Sequence, residues 1–148
     1  MIDIEDNLPD PDLPDAVIFD LDGTLALLNG RDPHNYADCY YDSLNHPIYR
    51  LYRYYKKNNF KILLVTGRNG EAFDDTLKWL EKNDIQPDKM YMKAIGDKRP
   101  DTIFKLAMYK AFIEDKYNIE AIYEDRSRMV RAWRSQGLLC LQVSEGDY

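Results

Sequence analysis

The apolar run Ala16-Val17-Ile18-Phe19 leads directly into Asp20-Leu21-Asp22-Gly23-Thr24. The run reads as a buried strand, and two carboxylates at i and i+2 stand at its carboxyl end. Removing a carboxylate from water costs several kcal/mol or more unless a cation or hydrogen bonds compensate it. The pentapeptide therefore predicts a site that binds a hard divalent cation and uses one carboxylate for chemistry. The competing reading is a turn in which Asp and Gly supply only loop geometry.

The remaining sequence narrows the setting. At 148 residues, 45% apolar and 31% charged, the chain has the composition of one soluble globular domain, long enough to bury roughly 70% of its unfolded surface. No apolar run suffices to cross a bilayer, and the first six residues lack the regions of a signal peptide. Cys39 and Cys140 are too few for a disulfide scaffold, and Cys140 is expected as a buried thiol. A cytoplasmic protein with no membrane partner is expected, in the host-cell cytoplasm if the chain is phage-encoded. The oligomeric state stays open, a homo-oligomer included. A net charge of −6 argues against broad coating of nucleic acid, yet leaves room for a local basic pocket that takes one strand end. Residues 1–15 carry six acids and no base. With Pro9, Pro11 and Pro14, residues 1–14 are expected as a loosely attached tail ahead of a single domain over 15–148.

Strands are predicted at 16–20, 61–66, 89–93, 119–123 and 138–142. Helical spacing covers 46–58 through Ile48, Leu51, Tyr52 and Tyr55, and 73–80 through Phe73, Leu77 and Leu80 after Asn69 as N-cap. Helix formers fill 101–117 behind Pro100, and a fourth helix over 127–136 stops at Gly137. Alternating strands and helices imply a parallel sheet covered on both faces, with ligands beyond the carboxyl ends of the strands. Polar residues fall at those ends three times: Asp20 and Asp22; Thr66, Gly67 and Arg68; Glu124, Asp125 and Arg126.

For a phosphate monoester this set suffices, because phosphoryl transfer is catalysed largely by positioning and charge neutralisation. Asp20 is the expected nucleophile, forming an aspartyl-phosphate, and Asp22 the general acid and base. Gly23 lets the backbone approach the phosphate, with the adjacent amides of Gly23 and Thr24 forming an anion nest. Thr66, with the Gly67 amide, would hold a second phosphoryl oxygen. Lys105 would neutralise phosphate and Asp20, oriented by Asp101 one turn earlier. Asp125 and Glu124 would complete a Mg2+ site with Asp20 and Asp22, Glu124 directly or through water.

In order and spacing, Asp20-Leu21-Asp22-Gly23-Thr24, Thr66, Lys105 and the acidic pair 124–125 resemble the four motifs of haloacid-dehalogenase-like phosphatases. The resemblance implies an α/β Rossmann-like five-stranded sheet in the order 5-4-1-2-3, an aspartyl-phosphate intermediate, Mg2+ and a minimal cap. A narrower likeness runs through Leu25–Asp32, Val65–Arg68, Gly96–Asp101 with Lys105, Glu124–Arg126 and Gln142–Tyr148. These resemble the 3′-phosphatase domain of the bacteriophage polynucleotide kinase–phosphatase. That likeness implies Arg31 and Arg68 as substrate-phosphate arginines and Asp101 with Lys105 as an essential pair. It also implies 3′-phosphate ends of DNA or RNA as substrate, 2′,3′-cyclic ends included. Glu124 departs from the family's paired aspartates. No G-x-x-x-x-G-K-[ST] loop is present, so kinase activity through that motif is not expected in this chain.

Residues 25–45 are too few for a separate cap, which predicts a site open to a polymer end. Tyr36, Tyr40 and Tyr41 are the candidates for base stacking, whereas Tyr49, Tyr52 and Tyr55 at helical spacing are expected to pack. Two alternatives stand beside the polynucleotide reading. One is a nucleotide or sugar phosphatase of the same superfamily; the other is a receiver-type phosphoacceptor domain. The second fits poorly, since its phosphoacceptor follows the third strand, where Met92-Lys93-Ala94 carries no aspartate.

Overall fold

The computed structural model describes residues 8–148. In chain order its elements are β1 (Asp15–Phe19), the short pair β2 (Ala26–Leu27) and β3 (Ser43–Leu44), α1 (His46–Lys57), β4 (Lys61–Asn69), α2 (Phe73–Lys82), β5 (Lys89–Lys93), α3 (Asp101–Met108), β6 (Asn118–Glu124), α4 (Ser127–Ser135) and β7 (Cys140–Gln142). The main sheet runs β5-β4-β1-β6-β7, with every neighbour parallel. With the β2–β3 pair set aside, that is the expected order 5-4-1-2-3 read from the opposite edge.

Strand alternation sorts β1 into two cores. Val17 and Phe19 join Ile48 and Tyr52 of α1 and Trp79 and Leu80 of α2. Ala16 and Ile18 join Tyr109, Ile113, Met129 and Trp133 on the other face. Phe19 stacks on Tyr123 with ring centroids 5.0 Å apart; truncating it to Ala would cost about 3–5 kcal/mol. Because both faces of β1 are buried, its polar continuation can emerge only at the carboxyl edge. Gly137 terminates the fourth helix with φ +78°, the left-handed conformation that glycine adopts without strain.

Four local expectations are corrected. The third helix is α-helical only to Met108 and continues as a wider turn over Tyr109–Ile113, where Glu114 N donates to Tyr109 O at 2.8 Å. That widening places Tyr109 and Ile113 together in the core. The second strand runs on to Asn69, which pairs with Lys93 beyond a register shift. Asn69 accepts from Glu71 N and so caps the single turn Gly70–Ala72 rather than α2. Finally, the part of the acidic tail at 10–14 is not loose: the Asn118 amide donates to Asp10 O at 2.8 Å and Leu13 O at 3.1 Å, and its oxygen accepts from Asp10 N. Residues 1–7 lie outside the described residues.

Residues 25–45 form the β2–β3 pair and one turn at Cys39–Tyr41, with no separate cap. Among the described residues no helix is long and apolar enough to cross a membrane.

Candidate active site

Three carboxylates converge where β1 and β6 end. Ligand oxygens of Asp20, Glu124 and Asp125 all lie within 4.8 Å of one another, and all three residues are buried. Lys105 reaches up from α3 with its Nζ 2.8 Å from Asp20 Oδ1 and 2.8 Å from Glu124 Oε2. Thr24 is fully buried and donates to Asp20 Oδ2 at 3.2 Å. Gly23 adopts φ +80°, and a Cβ there would collide with the Asp125 carboxylate, so only glycine fits.

The carboxylate of Asp22 does not join this cluster. It turns to two guanidiniums, accepting from Arg31 Nη2 at 2.8 Å and Arg68 Nη2 at 2.7 Å. Asp42, a residue the sequence reading passed over, completes the group: it accepts from Arg31 Nε at 2.9 Å and from Arg68 Nη2 at 3.0 Å. Its backbone carbonyl is held by Trp79 Nε1 at 2.7 Å. Arg68 is wholly buried, with Nη1 donating to Thr76 at 2.9 Å. Neither arginine therefore presents a free guanidinium to a phosphate; both orient Asp22. Arg31 also donates to Asn35 O at 2.6 Å.

Asp101 is likewise placed differently from the expected i, i+4 pair. It accepts from Lys93 Nζ at 2.6 Å and Arg126 Nη1 at 2.6 Å, leaving Lys105 to Asp20 and Glu124. Its carboxylate packs so closely on Gly67 that a Cβ there would come within 2.6 Å of it. Thr66 is fully buried and its hydroxyl accepts from Arg68 N at 3.1 Å, shaping the strand end. Tyr36 closes the same segment, donating to Gly67 O at 3.2 Å.

Electrostatics follow the geometry. Burial, then the neighbouring Glu124 charge, push the Asp20 carboxyl up to about 8, against the opposing pull of Lys105. Burial and the charge on Asp20 push Asp125 up to about 6. For Lys105, burial works to lower the pKa, but Asp20 and Glu124 outweigh it and hold the ammonium charged. For Asp101, burial raises the pKa, while the Lys93 hydrogen bond and the nearby charges of Lys105 and Arg126 lower it, with the net shift downward.

The cleft over the cluster has a free volume of about 20 Å³, room for an ion or a water or two. Pro33, His34, Tyr36, Met129 and Tyr148 line its mouth. A groove of about 620 Å³ along α1 is larger but offers a single carboxylate, Asp84. Tyr40 stacks under Lys82 Nζ at 4.0 Å, away from the cleft lining, and Tyr41 is exposed. Tyr52 is buried, and Tyr55 bonds Tyr123 at 2.8 Å, as expected of packing residues.

A parallel sheet in this order, with an Asp-x-Asp-Gly-Thr loop, a buried lysine and an acidic pair at one edge, defines a haloacid-dehalogenase-like phosphatase. A Mesorhizobium loti structure assigned as a HAD-like phosphatase shares the fold, with TM-score 0.60 and 16% identity over 86% of this chain and 71% of that one. Residues 14–148 match the polynucleotide kinase PNKP phosphatase domain, and the chain belongs to that family of phosphoric monoester hydrolases. A chain of a Pnkp1/Rnl/Hen1 complex superposes with TM-score 0.91 and 39% identity, over 95% of this chain and 49% of that one. A chain of a Pnkp1/Rnl/Hen1 RNA repair complex does so with TM-score 0.90 and 39% identity, over 94% and 45%. The bifunctional polynucleotide kinase/RNA ligase proposed for Autographa californica nuclear polyhedrosis virus is 31% identical over 124 residues, 82% of this chain and 18% of the viral protein. The chain thus spans half or less of these longer relatives.

Proposed function

We propose that this domain is a Mg2+-dependent polynucleotide 3′-phosphatase that heals RNA ends, 2′,3′-cyclic phosphate ends included. The observation that carries the reading is Asp20, buried in the three-carboxylate cluster, with Lys105 2.8 Å from one of its oxygens. The RNA preference is supported by the relatives, which belong to an RNA repair complex and a kinase/RNA ligase. The same relatives support a setting in which kinase and RNA ligase activities work beside this domain.

The donor set fits a hard divalent cation: Asp20, Glu124 and Asp125 carry three negative charges against the single ammonium of Lys105. Asp20, Asp125 and Glu124, the last directly or through water, would hold Mg2+, which when bound neutralises charge on the phosphoryl oxygens. Asp20 attacks phosphorus; the P–O3′ bond breaks and Asp22, protonated for this step, gives its proton to the leaving 3′-oxygen. A 2′,3′-cyclic end first passes through one such round at P–O2′ that leaves a 3′-phosphate. Water then attacks the aspartyl-phosphate, Asp22 takes the water proton, and Asp20 leaves as a carboxylate. Lys105 neutralises Asp20 and the transferring group. Arg31, Arg68 and Asp42 hold Asp22 in register, and the Gly67 amide, in a segment fixed by Asp101, would face a phosphoryl oxygen. The expected nest at Gly23 and Thr24 is not open, because their amides donate to Ala26 O at 2.8 Å and Leu21 O at 3.0 Å.

The test is phosphate release from 3′-phosphorylated RNA, 3′-phosphorylated DNA, cyclic-ended RNA and mononucleotides, with and without Mg2+. Release from RNA ends that disappears with EDTA and with Asp20→Asn is expected. Equal turnover of mononucleotides and oligonucleotides would overturn the polynucleotide reading.

A further inference from the structure

The steps above give Tyr148 no task, yet its hydroxyl donates to Asp125 Oδ2. The contact is built from several sides. Ser127 N donates to Gly146 O at 2.7 Å. Gly146 lies so close to the Asp125 backbone that a Cβ would come within 2.6 Å of its carbonyl oxygen. The Tyr148 ring sits under the Arg126 guanidinium at 4.6 Å, and Arg126 is itself held by Asp101 at 2.6 Å. Burial and then the Asp125 contact raise the phenol's pKa, so it stays a donor.

The donors around the three carboxylates show what this contact does. Asp20 Oδ1 accepts from Lys105 and Oδ2 from Thr24. Glu124 Oε2 accepts from Lys105 and Oε1 from Asp125 N at 3.3 Å. Asp125 Oδ2 accepts from Tyr148. Among the described residues, Asp125 Oδ1 is the one oxygen of the six with no hydrogen-bond donor. A cation that took both oxygens of any of the three carboxylates would have to share at least one of them with a hydrogen-bond donor.

We propose that Tyr148 is a positioning residue that selects Mg2+ over Ca2+ by holding Asp125 to a single metal-facing oxygen. Mg2+ takes six ligands in strict octahedral geometry, whereas Ca2+ takes six to eight oxygens and accepts bidentate carboxylates. A phenol on Oδ2 leaves Oδ1 free for Mg2+ and competes with the second bond by which Ca2+ would take Asp125 bidentate. The inference rests on the cluster being the cation site.

Calorimetric titration of Mg2+ and Ca2+ into substrate-free wild type, Tyr148→Phe and Tyr148→Leu tests it. Tyr148→Phe keeps the ring under Arg126 and deletes only the donor. The Mg2+/Ca2+ affinity ratio should fall by about 10-fold or more in Tyr148→Phe, the scale on which partners of metal ligands act. An unchanged ratio in Tyr148→Phe, or a fall confined to Tyr148→Leu, overturns the role of the hydroxyl. Wild type that binds neither cation overturns the cation site itself. Wild type that prefers Mg2+ yet spares 3′-phosphate ends overturns the proposed substrate and leaves this inference standing. A readout free of variants is NMR of 13Cζ-tyrosine protein: the Tyr148 signal should move on Mg2+ saturation and move differently with Ca2+. A signal indifferent to both overturns the proposal.

Discussion

Two charge clusters share the carboxyl edge of the sheet and are balanced differently. Around Asp22, the guanidiniums of Arg31 and Arg68 face the carboxylates of Asp22 and Asp42, so the formal charges cancel whenever Asp22 is ionised, between its proton-carrying steps. Around Asp20, the carboxylates of Asp20, Glu124 and Asp125 face Lys105 alone, an excess of two negative charges. The first cluster is complete as folded and acts as a scaffold for Asp22. The second is complete only with a divalent cation or with protons, and the proton held by Asp20 to about pH 8 expresses that same deficit.

The largest expected break between the clusters is catalytic. Asp20→Asn keeps the side chain's shape and removes the nucleophile, and 3′-phosphate release should fall by about 10⁴-fold or more. The folded state should survive without Mg2+, because Asn is an uncharged isostere of the protonated Asp20 that the Mg2+-free site holds below about pH 8. Single-turnover phosphate release and thermal unfolding of the same preparation check both halves.

Next comes stability. Asp42→Asn strips the balanced cluster of one anion and leaves a buried guanidinium under-neutralised, at a cost of about 3–5 kcal/mol. That loss should be the same with or without Mg2+. Asp125→Asn should behave in the opposite way: neutral or stabilising in EDTA, but without the gain that wild type shows on adding Mg2+. Urea denaturation of both variants in EDTA and in Mg2+ separates the two patterns. A Mg2+-dependent loss in Asp42→Asn would erase the distinction between the clusters.

The pH dependence is smaller and has a definite sign. Without Mg2+, folded Asp20 keeps its proton to about pH 8 and folded Asp125 to about pH 6, whereas both release it near 3.8 when unfolded. Between those values the native state binds more protons than the unfolded chain, so stability declines as the pH rises. Asp101 is shifted downward, so its contribution is full above its ordinary pKa and is lost only at more acidic pH. Denaturation midpoints in EDTA should therefore fall from pH 5 to pH 8. Saturating Mg2+ should flatten that slope.

The clusters also differ in how far they could be read from the sequence. Asp20, Thr66, Glu124 and Asp125 each follow an apolar strand, so the rule that parallel sheets bind at their carboxyl ends found them. Lys93 stands at the end of β5 by the same rule, but a lone lysine at a strand end carries no signal of its own. Asp101 was assigned to Lys105 by helical spacing; the cations that reach it come from β5 and from the start of α4, contacts that spacing along one helix cannot reveal. Asp42 carried no local signal. It lies in Tyr40-Tyr41-Asp42-Ser43, without periodicity, and only the register of β2 against β3, with Trp79 on its carbonyl, turns it inward. Tyr148 lies 23 residues from Asp125 in sequence, and its contact arises from the fold of the segment after β7.

The smallest effect sharpens the scaffold role of the balanced cluster. Thr76 is fully buried in α2 and accepts from Arg68 Nη1, a guanidinium nitrogen that Asp22 and Asp42 leave free. Thr76→Val keeps the branched shape and strands one buried donor, at a cost of about 1–3 kcal/mol. Thr76→Ser keeps the acceptor and should cost only the lost methyl contact, about 1 kcal/mol. Because Arg68 keeps its bonds to Asp22, kcat in Thr76→Val should fall less than 10-fold, with Mg2+ affinity unchanged. A large loss of Mg2+ binding in Thr76→Val would mean that the two clusters are one coupled unit, since nothing at Thr76 touches the three cation-facing carboxylates.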